Sequence, residues 1–378
     1  YYHPNSPYGG EWANDPREGD HHTYDCVWQY PYTDYPNFMS EHIRTAPPVL
    51  HSLKKMIRGE LWPQDYTGQF LYDSRFPIPD SWAQRAHHPA KWDLKSSSYW
   101  EYYDANTPED MIYRFGAAYG QEIRRGLEMV RMGSRNGGVE SAKRSKGHFS
   151  CKLLDTWPKI YCAIIDFFQE GYIPYYATKR AQSPLLVCFD RQESIRLWLV
   201  NDSAEDFEGC VKFGLYSLSE ECFLAEKTMD VSISQGESDI LFDLASLRFF
   251  PRDCLLTARL EDKNSRVICR SVDYVDIERH LSFPDAKLSV SIINNTLRIT
   301  TDRFARCVGI TGECDGNLFG WLFEDNYFDL MPGEMKEVQI LGDNPHGTIT
   351  LKPHYSTTAV DIFFKRVSLK AIPKGKKA

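Results

Sequence analysis

The residues with the most chemistry per position stand near the amino end. Phe38-Met39-Ser40 is a short apolar run that delivers one carboxylate, Glu41, ahead of the breaker pair Pro47-Pro48. A strand ending in an acid just before a loop is how many enzymes present a catalytic group at the carboxyl edge of a parallel sheet. The same pattern also fits a half-buried carboxylate paired with Arg44. Upstream, Gly19-Asp20-His21-His22-Thr23-Tyr24-Asp25-Cys26-Val27-Trp28 packs acid, imidazole, phenol and indole into ten positions. A loop that dense in functional side chains reads as the lining of a site. Asp155, before Thr156-Trp157-Pro158, ends a strand expected over 147–155 and is a further candidate. His21, His22, His42 and His51 raise a metal reading, but they lack a helical i, i+4 pair or a carboxylate at metal spacing. No metal and no cofactor are therefore expected.

The elements that must position these groups follow in order. Residues 1–37 carry Pro4, Pro7, Gly9-Gly10, Asp15-Pro16 and Gly19-Asp20, which leaves little room for regular structure. Val49, Leu50, Leu53 and Ile57 have helical spacing, and Gly59 ends it. Residues 61–103 are irregular and aromatic. Thr107-Pro108-Glu109-Asp110 is a helix start, with a capping Thr, Pro at the first position and acids in the first turn. Ile112, Phe115, Tyr119, Ile123, Leu127 and Val130 then keep the helical period to about Met132, with Arg124, Arg125 and Arg131 toward the carboxyl end, where the helix dipole favours them. A last helix is expected from Ile173 to Arg180. Strand, helix, long loop, helix, strand, helix is the later part of an α/β barrel.

After Pro184 the pattern changes to short alternating runs. Leu185 to Phe189, Ile195 to Val200, Val211 to Tyr216, Met229 to Ile233, Ile240 to Phe242, Leu255 to Leu260 and Val267 to Val272 make about seven strands, the arrangement of an immunoglobulin-like sandwich. A second series runs from Leu288 to Phe364, including Leu318 to Leu322, and predicts another sandwich. The expected divisions are 1–183, a partial barrel lacking its first strands; 184–278 and 279–366, the sandwiches; and 367–378, a basic tail expected to be disordered.

Composition bounds the partners. Over 378 residues the chain is 42% hydrophobic and carries a net charge of -8, which argues against nucleic acid or an anionic membrane as the main partner. No apolar run approaches membrane-spanning length. The ten cysteines have no zinc spacing and no framework pattern, so they read as reduced, buried thiols. Aromatic residues reach 14%, crowded in the first third, where flat rings suit a sugar as well as a core. The chain opens at Tyr1 in a loop-like segment and reads as missing its amino end, so compartment, whether cytoplasm, periplasm or exterior, and oligomeric state are left open. So are the sequons at Asn201 and Asn294.

Four segments carry a resemblance. Asn5-Ser6-Pro7 with Gly19-Asp20-His21-His22, then Phe38-Met39-Ser40-Glu41, then Leu153-Leu154-Asp155-Thr156-Trp157-Pro158, and last Asp325-Asn326-Tyr327-Phe328-Asp329-Leu330-Met331-Pro332-Gly333-Glu334. Together they resemble the carboxyl-terminal half of glycoside hydrolase family 2, in its β-mannosidase branch. That resemblance implies the end of a (β/α)8 TIM barrel followed by two immunoglobulin-like β-sandwich domains, and an exo-acting retaining β-glycosidase acting on an oligosaccharide or glycoside. It implies Glu41 as nucleophile, Tyr24 touching that nucleophile, His22 touching sugar hydroxyls, and Asp155 either binding a hydroxyl or capping its turn. Cys151 stands where the family has a tryptophan platform for the sugar. The family's acid/base glutamate lies upstream of Tyr1. An impaired relative that binds carbohydrate or serves assembly is the alternative.

Overall fold

The computed structural model describes residues 5–9, 11–13, 15, 18–23, 38–43, 45–59, 61, 84–85, 108–132, 147–191, 194–244, 251–343 and 346–366. They form two compact units, residues 1–282 and 283–378.

The first unit opens with three short parallel strands, β1 (His21–Thr23), β2 (Met39–His42) and β3 (His148–Ser150), side by side in that order. β1 lies within the stretch that its Gly and Pro content marked as loop. β3 is shorter than the strand expected over 147–155. Beyond Cys151 the chain leaves β2, and the amides of Lys152 and Asp155 bond instead to the carbonyls of Cys162 and Ile165, at 3.4 and 3.2 Å. Among the described residues this three-stranded parallel sheet is the extent of the expected barrel.

Parallel neighbours need a crossover, and between β2 and β3 lie α1 (Leu50–Met56) and α2 (Pro108–Met132). α3 (Ile173–Ala181) follows, with Pro174 in its first turn. The apolar stripe of α2 is buried, with Tyr119 and Ile123 fully enclosed, and it meets Leu53 and Met56 of α1, Ile160, Ile164 and Ala177 of α3 in one core. The end of α2 packs elsewhere. Met129, Val130 and Met132 join Met39 of β2 and Leu186, Cys188, Trp198 and Val200 of the following sandwich. The arginines expected to answer the helix dipole reach that sandwich: Arg124 donates to the Val272 carbonyl at 3.0 Å, Arg125 pairs with Asp273 at 3.0 Å, and Arg131 holds Asp202 at 2.8 Å.

That sandwich has β4 (Leu185–Arg191), β5 (Ile195–Asn201) and β8 (Ser238–Leu244) in one antiparallel sheet. The other has the order β10 (Val267–Tyr274), β9 (Cys254–Asp262), β6 (Phe207–Ser217), β7 (Cys222–Ile233). Val187, Leu197 and Leu199 face Val211, Phe213 and Leu256 across the core. β7 starts seven residues before the run read from its alternation, because its first part is exposed on both faces and has no period to read.

The second unit repeats the architecture. β11 (Leu288–Ile293), β12 (Thr296–Thr301) and β15 (Lys336–Gln339) form one sheet. β14 (Phe328–Leu330), β13 (Ala305–Glu313), β16 (His346–Lys352) and β17 (Val360–Lys365) form the other. Leu318 to Leu322, expected as a strand, is irregular: Trp321 turns inward, 7% exposed, and the Phe319 amide bonds to the Asn317 side chain at 3.2 Å. The 325–334 signature is a clamp on β13. Asn326 accepts from the Ile310 amide at 2.7 Å and donates to the Ile310 carbonyl at 2.8 Å, while Asp329 accepts from Arg306 at 2.8 Å and from the Cys307 amide at 2.9 Å. These side chains replace ladder bonds where the β13–β14 register slips between Ala305 and Val308. Among the described residues no helix is long and apolar enough to cross a membrane.

Candidate active site

Glu41 owes its direction to a bulge in β2. His21 pairs with Met39 and His22 with Glu41, so Ser40 is passed over. Two residues of β2 there oppose one step of β1, which breaks the strict alternation of a strand. Met39 and His42 are consequently both fully buried, and Ser40 and Glu41 between them are not.

On the open side, His22 Nδ1 lies 3.9 Å from Glu41 Oε2. The Ser6 hydroxyl joins His22 Nε2 at 2.9 Å, Ser40 Oγ at 3.3 Å and Asp20 Oδ2. Asp20 is 5% exposed and also accepts from the Tyr8 amide at 2.6 Å, while its own amide donates to the Tyr8 carbonyl at 2.9 Å. The polarity follows from these partners. An ionised Asp20 can only accept, so Ser6 donates its proton there and its oxygen is left to accept from His22 Nε2–H. The other ring nitrogen, Nδ1, is turned toward Glu41. Ser6, Asp20 and Ser40 were not singled out as site residues from the sequence. The signal present was the Ser-Pro and Gly-Asp segments themselves, because a buried acid twelve residues from the amide it caps has no local periodicity.

On the helix side, His42 Nδ1 meets His148 Nε2 of β3 at 3.0 Å, and His42 Nε2 meets Glu122 Oε1 of α2 at 3.3 Å. His42 and Glu122 are fully buried. Burial, with His42 beside it, pushes the His148 imidazole down to about 3, so it is neutral under ordinary conditions. Gly126 makes this contact possible: a Cβ there would lie 2.7 Å from His42 Cε1. This line of polar side chains ties the strand bearing Glu41 to α2.

Cys151 follows β3, and its amide donates to the His42 carbonyl at 2.9 Å. It packs against the cluster of Ile43, Tyr161 and buried Cys162. The Cys162 thiol bonds to it and draws its pKa down to about 7, against burial and the neighbouring charge of Glu41. Cys162 is pushed up in turn. Asp155 is 5% exposed, and burial raises its carboxyl to about 6, opposed by Lys159 and Lys152. It pairs with Lys159 Nζ at 3.5 Å, and that ammonium lies 5.5 Å from the Trp157 ring centroid. The contacts thus join His22 to Glu41 and bring Glu41 to bear on Cys151, while those of Asp155 run to Lys159 and Ile165. His51 on α1 sits 3.8 Å from Glu170. Tyr24 and Arg44 lie outside the described residues.

The sandwiches match known families. Residues 193–277 match the mannosidase Ig/CBM-like domain and residues 283–359 an Ig-fold domain of mannosidases. Over 375 residues the chain is 24% identical to β-mannosidase B of Aspergillus niger, an alignment covering 90% of this chain and 42% of that protein. The chain is thus similar to the carboxyl-terminal region of β-mannosidases of glycoside hydrolase family 2. Two solved structures share its fold. The β-D-mannosidase of Dictyoglomus thermophilum superposes with a TM-score of 0.74 at 21% identity, over 96% of this chain and 42% of that one. The exo-chitosanase of Amycolatopsis orientalis superposes with a TM-score of 0.71 at 13% identity, over 90% and 45%. The chain therefore spans about two-fifths of the length of the curated relatives, 42% in the first case.

Proposed function

We propose that the protein is a retaining exo-β-glycosidase of the β-mannosidase type, with Glu41 as its nucleophile, and that its substrate is an oligosaccharide or other glycoside. The observation that carries this is the bulged β2, which sets Glu41 on the open side of a parallel sheet beside His22. Retention requires two carboxyl groups about 5 Å apart, one protonating the leaving oxygen while the other attacks the anomeric carbon. In this reading Glu41 attacks and forms the glycosyl-enzyme. The second carboxyl comes from a segment of the longer protein, and β1, β2 and β3 are an arc of its (β/α)8 barrel. Residues 1–183 are then the barrel portion, 184–278 and 279–366 the two sandwich domains, and 367–378 a tail.

The side chains support a division of roles. Ser6 and Asp20 orient His22, whose ring sits where it can touch both a sugar hydroxyl and Glu41. Tyr24 is proposed as a further contact to the nucleophile, Asp155 as a hydroxyl contact or a turn cap, and Cys151 as the group at the sugar platform. A second reading rests on Cys151. A thiol in place of an aromatic platform forfeits stacking of about 1 kcal/mol, which favours a weakened relative that binds carbohydrate.

The test uses the full-length protein and an aryl β-mannoside. Glu41→Gln should lose turnover by several orders of magnitude while its melting temperature holds, and a 2-fluoro-glycoside should label Glu41 in the parent. Label on another carboxylate, or undiminished turnover in the variant, would overturn the assignment. Binding without turnover in the parent would favour the second reading.

A further inference from the structure

β13 ends at Glu313, and Cys314-Asp315-Gly316-Asn317 turns the chain back on itself. The turn is closed by two bonds of 2.9 Å, Cys314 amide to Asn317 carbonyl and Asn317 amide to Cys314 carbonyl. Asp315 and Gly316 at its centre have φ of 50° and 79°, the two left-handed residues of a type I′ turn. β16 runs antiparallel to β13 with Glu313 opposite Thr348, which sets the start of β16 against this turn. Gly347 allows the approach: its φ is 154°, and a Cβ there would lie 2.2 Å from the Glu313 carbonyl oxygen. The neighbouring His346 is thereby held over Cys314.

Three different donors converge. Cys314 Sγ lies 3.9 Å from His346 Nε2 and 3.9 Å from Asp315 Oδ2. All three donor atoms fall within 4.8 Å of one another. Two ligands of a tetrahedral zinc ion, at about 2.3 Å for sulfur and about 2.0 Å for nitrogen, stand roughly 3.5 Å apart. The two pairs that include the sulfur therefore need to close by about 0.4 Å, and the imidazole and carboxylate by at most about 1.5 Å, a range that side-chain rotation spans. Among the described residues this is the one group of three such donors so placed.

We propose that Cys314, Asp315 and His346 form a binding site for a divalent transition-metal ion of the zinc class. A thiolate and an imidazole select borderline-soft ions over magnesium or calcium, which prefer oxygen alone. Asp315 and His346 are exposed and Cys314 is half-buried, so the ion enters from solvent and water completes its fourth position. Two ligands ride on a closed turn and the third on a paired strand, so the site is held by rigid elements rather than by a loose loop. The site belongs to the 283–378 unit, and nothing in its argument depends on the glycosidase reading.

The test is titration of the intact protein with Co²⁺, followed by displacement with Zn²⁺. One equivalent should give tetrahedral ligand-field absorption together with a near-ultraviolet thiolate-to-cobalt band, and zinc should remove both. Cys314→Ser should abolish the thiolate band. His346→Gln should weaken binding by more than the roughly 10–100-fold that outer-shell changes cost. Cys222→Ser, which removes an exposed thiol on β7, should change neither. A band that survives Cys314→Ser, affinity unchanged in His346→Gln, or no thiolate band in the parent would overturn the proposal. His346 is exposed and Cys314 half-buried, and circular dichroism identifies a misfolded variant. If Cys314→Ser misfolds, His346→Gln decides.

Discussion

Cys151 stands next to the strand that bears Glu41, and its thiol differs from that of Cys188. The Cys162 S–H donates to its sulfur and favours the thiolate, with a pKa near 7. Cys188, buried among apolar side chains, is pushed well up. Because the thiolate is the nucleophile, iodoacetamide should modify Cys151 before Cys188, at a rate that rises through a midpoint near pH 7. Peptide mapping after brief alkylation at pH 6, 7 and 8 reads this directly. A flat rate across that range, or faster loss of Cys188, would contradict it. Thiol chemistry beside the proposed nucleophile also makes Cys151 a point at which alkylation should slow the proposed glycosidase activity of the full-length protein.

At the scale of elements, the contact of His148 on β3 with His42 on β2 carries a pH dependence. His148 is buried and neutral, with its pKa lowered to about 3 from an ordinary 6.5. Above pH 6.5 folded and unfolded chains both leave the ring neutral, so this group adds no slope. As pH falls from about 6.5 to about 3 the unfolded chain takes up a proton that the folded chain refuses, and stability falls. His148→Gln keeps hydrogen-bonding capacity and cannot titrate. Its melting temperature should therefore drop less between pH 7 and pH 4.5 than that of the parent. An equal drop in both proteins would mean that His148 does not carry the acid sensitivity. Gly126 of α2 lets His42 of β2 reach Glu122: a larger residue at 126 would push the imidazole away from its carboxylate.

At the scale of the whole molecule, tertiary structure decides which of two equivalent sequence signals is usable. Asn201 and Asn294 both head glycosylation sequons. Asn201 is fully buried, and its amide donates to the Glu205 carbonyl at 2.8 Å. Asn294 sits exposed at the tip of the β11–β12 hairpin with φ of 57°. Expressed through a secretory host, the chain should carry glycan at Asn294 and none at Asn201, as read by mass spectrometry of the two peptides. Glycan at Asn201 would imply that β5 is not packed as described when modification occurs.

The sequence by itself determined the strand and helix pattern wherever burial is one-sided. Alternation located most strands of both sandwiches, and the helical period with Pro108, Glu109 and Asp110 located α2. It also pointed to Glu41, because an acid directly after an apolar run is a local signal. What it did not determine was set by partners distant in the chain. The passing over of Ser40, which sends Glu41 and His22 to one side and His42 to the other, depends on how β1 pairs with β2. The Asp20–Ser6–His22 chain, the Glu122–His42–His148 line and the Cys314–Asp315–His346 group each join residues with no shared period. Hydrophobic burial leaves a pattern repeated along the chain and so is legible from it. A polar constellation is a meeting of single residues, and only the folded backbone brings them together.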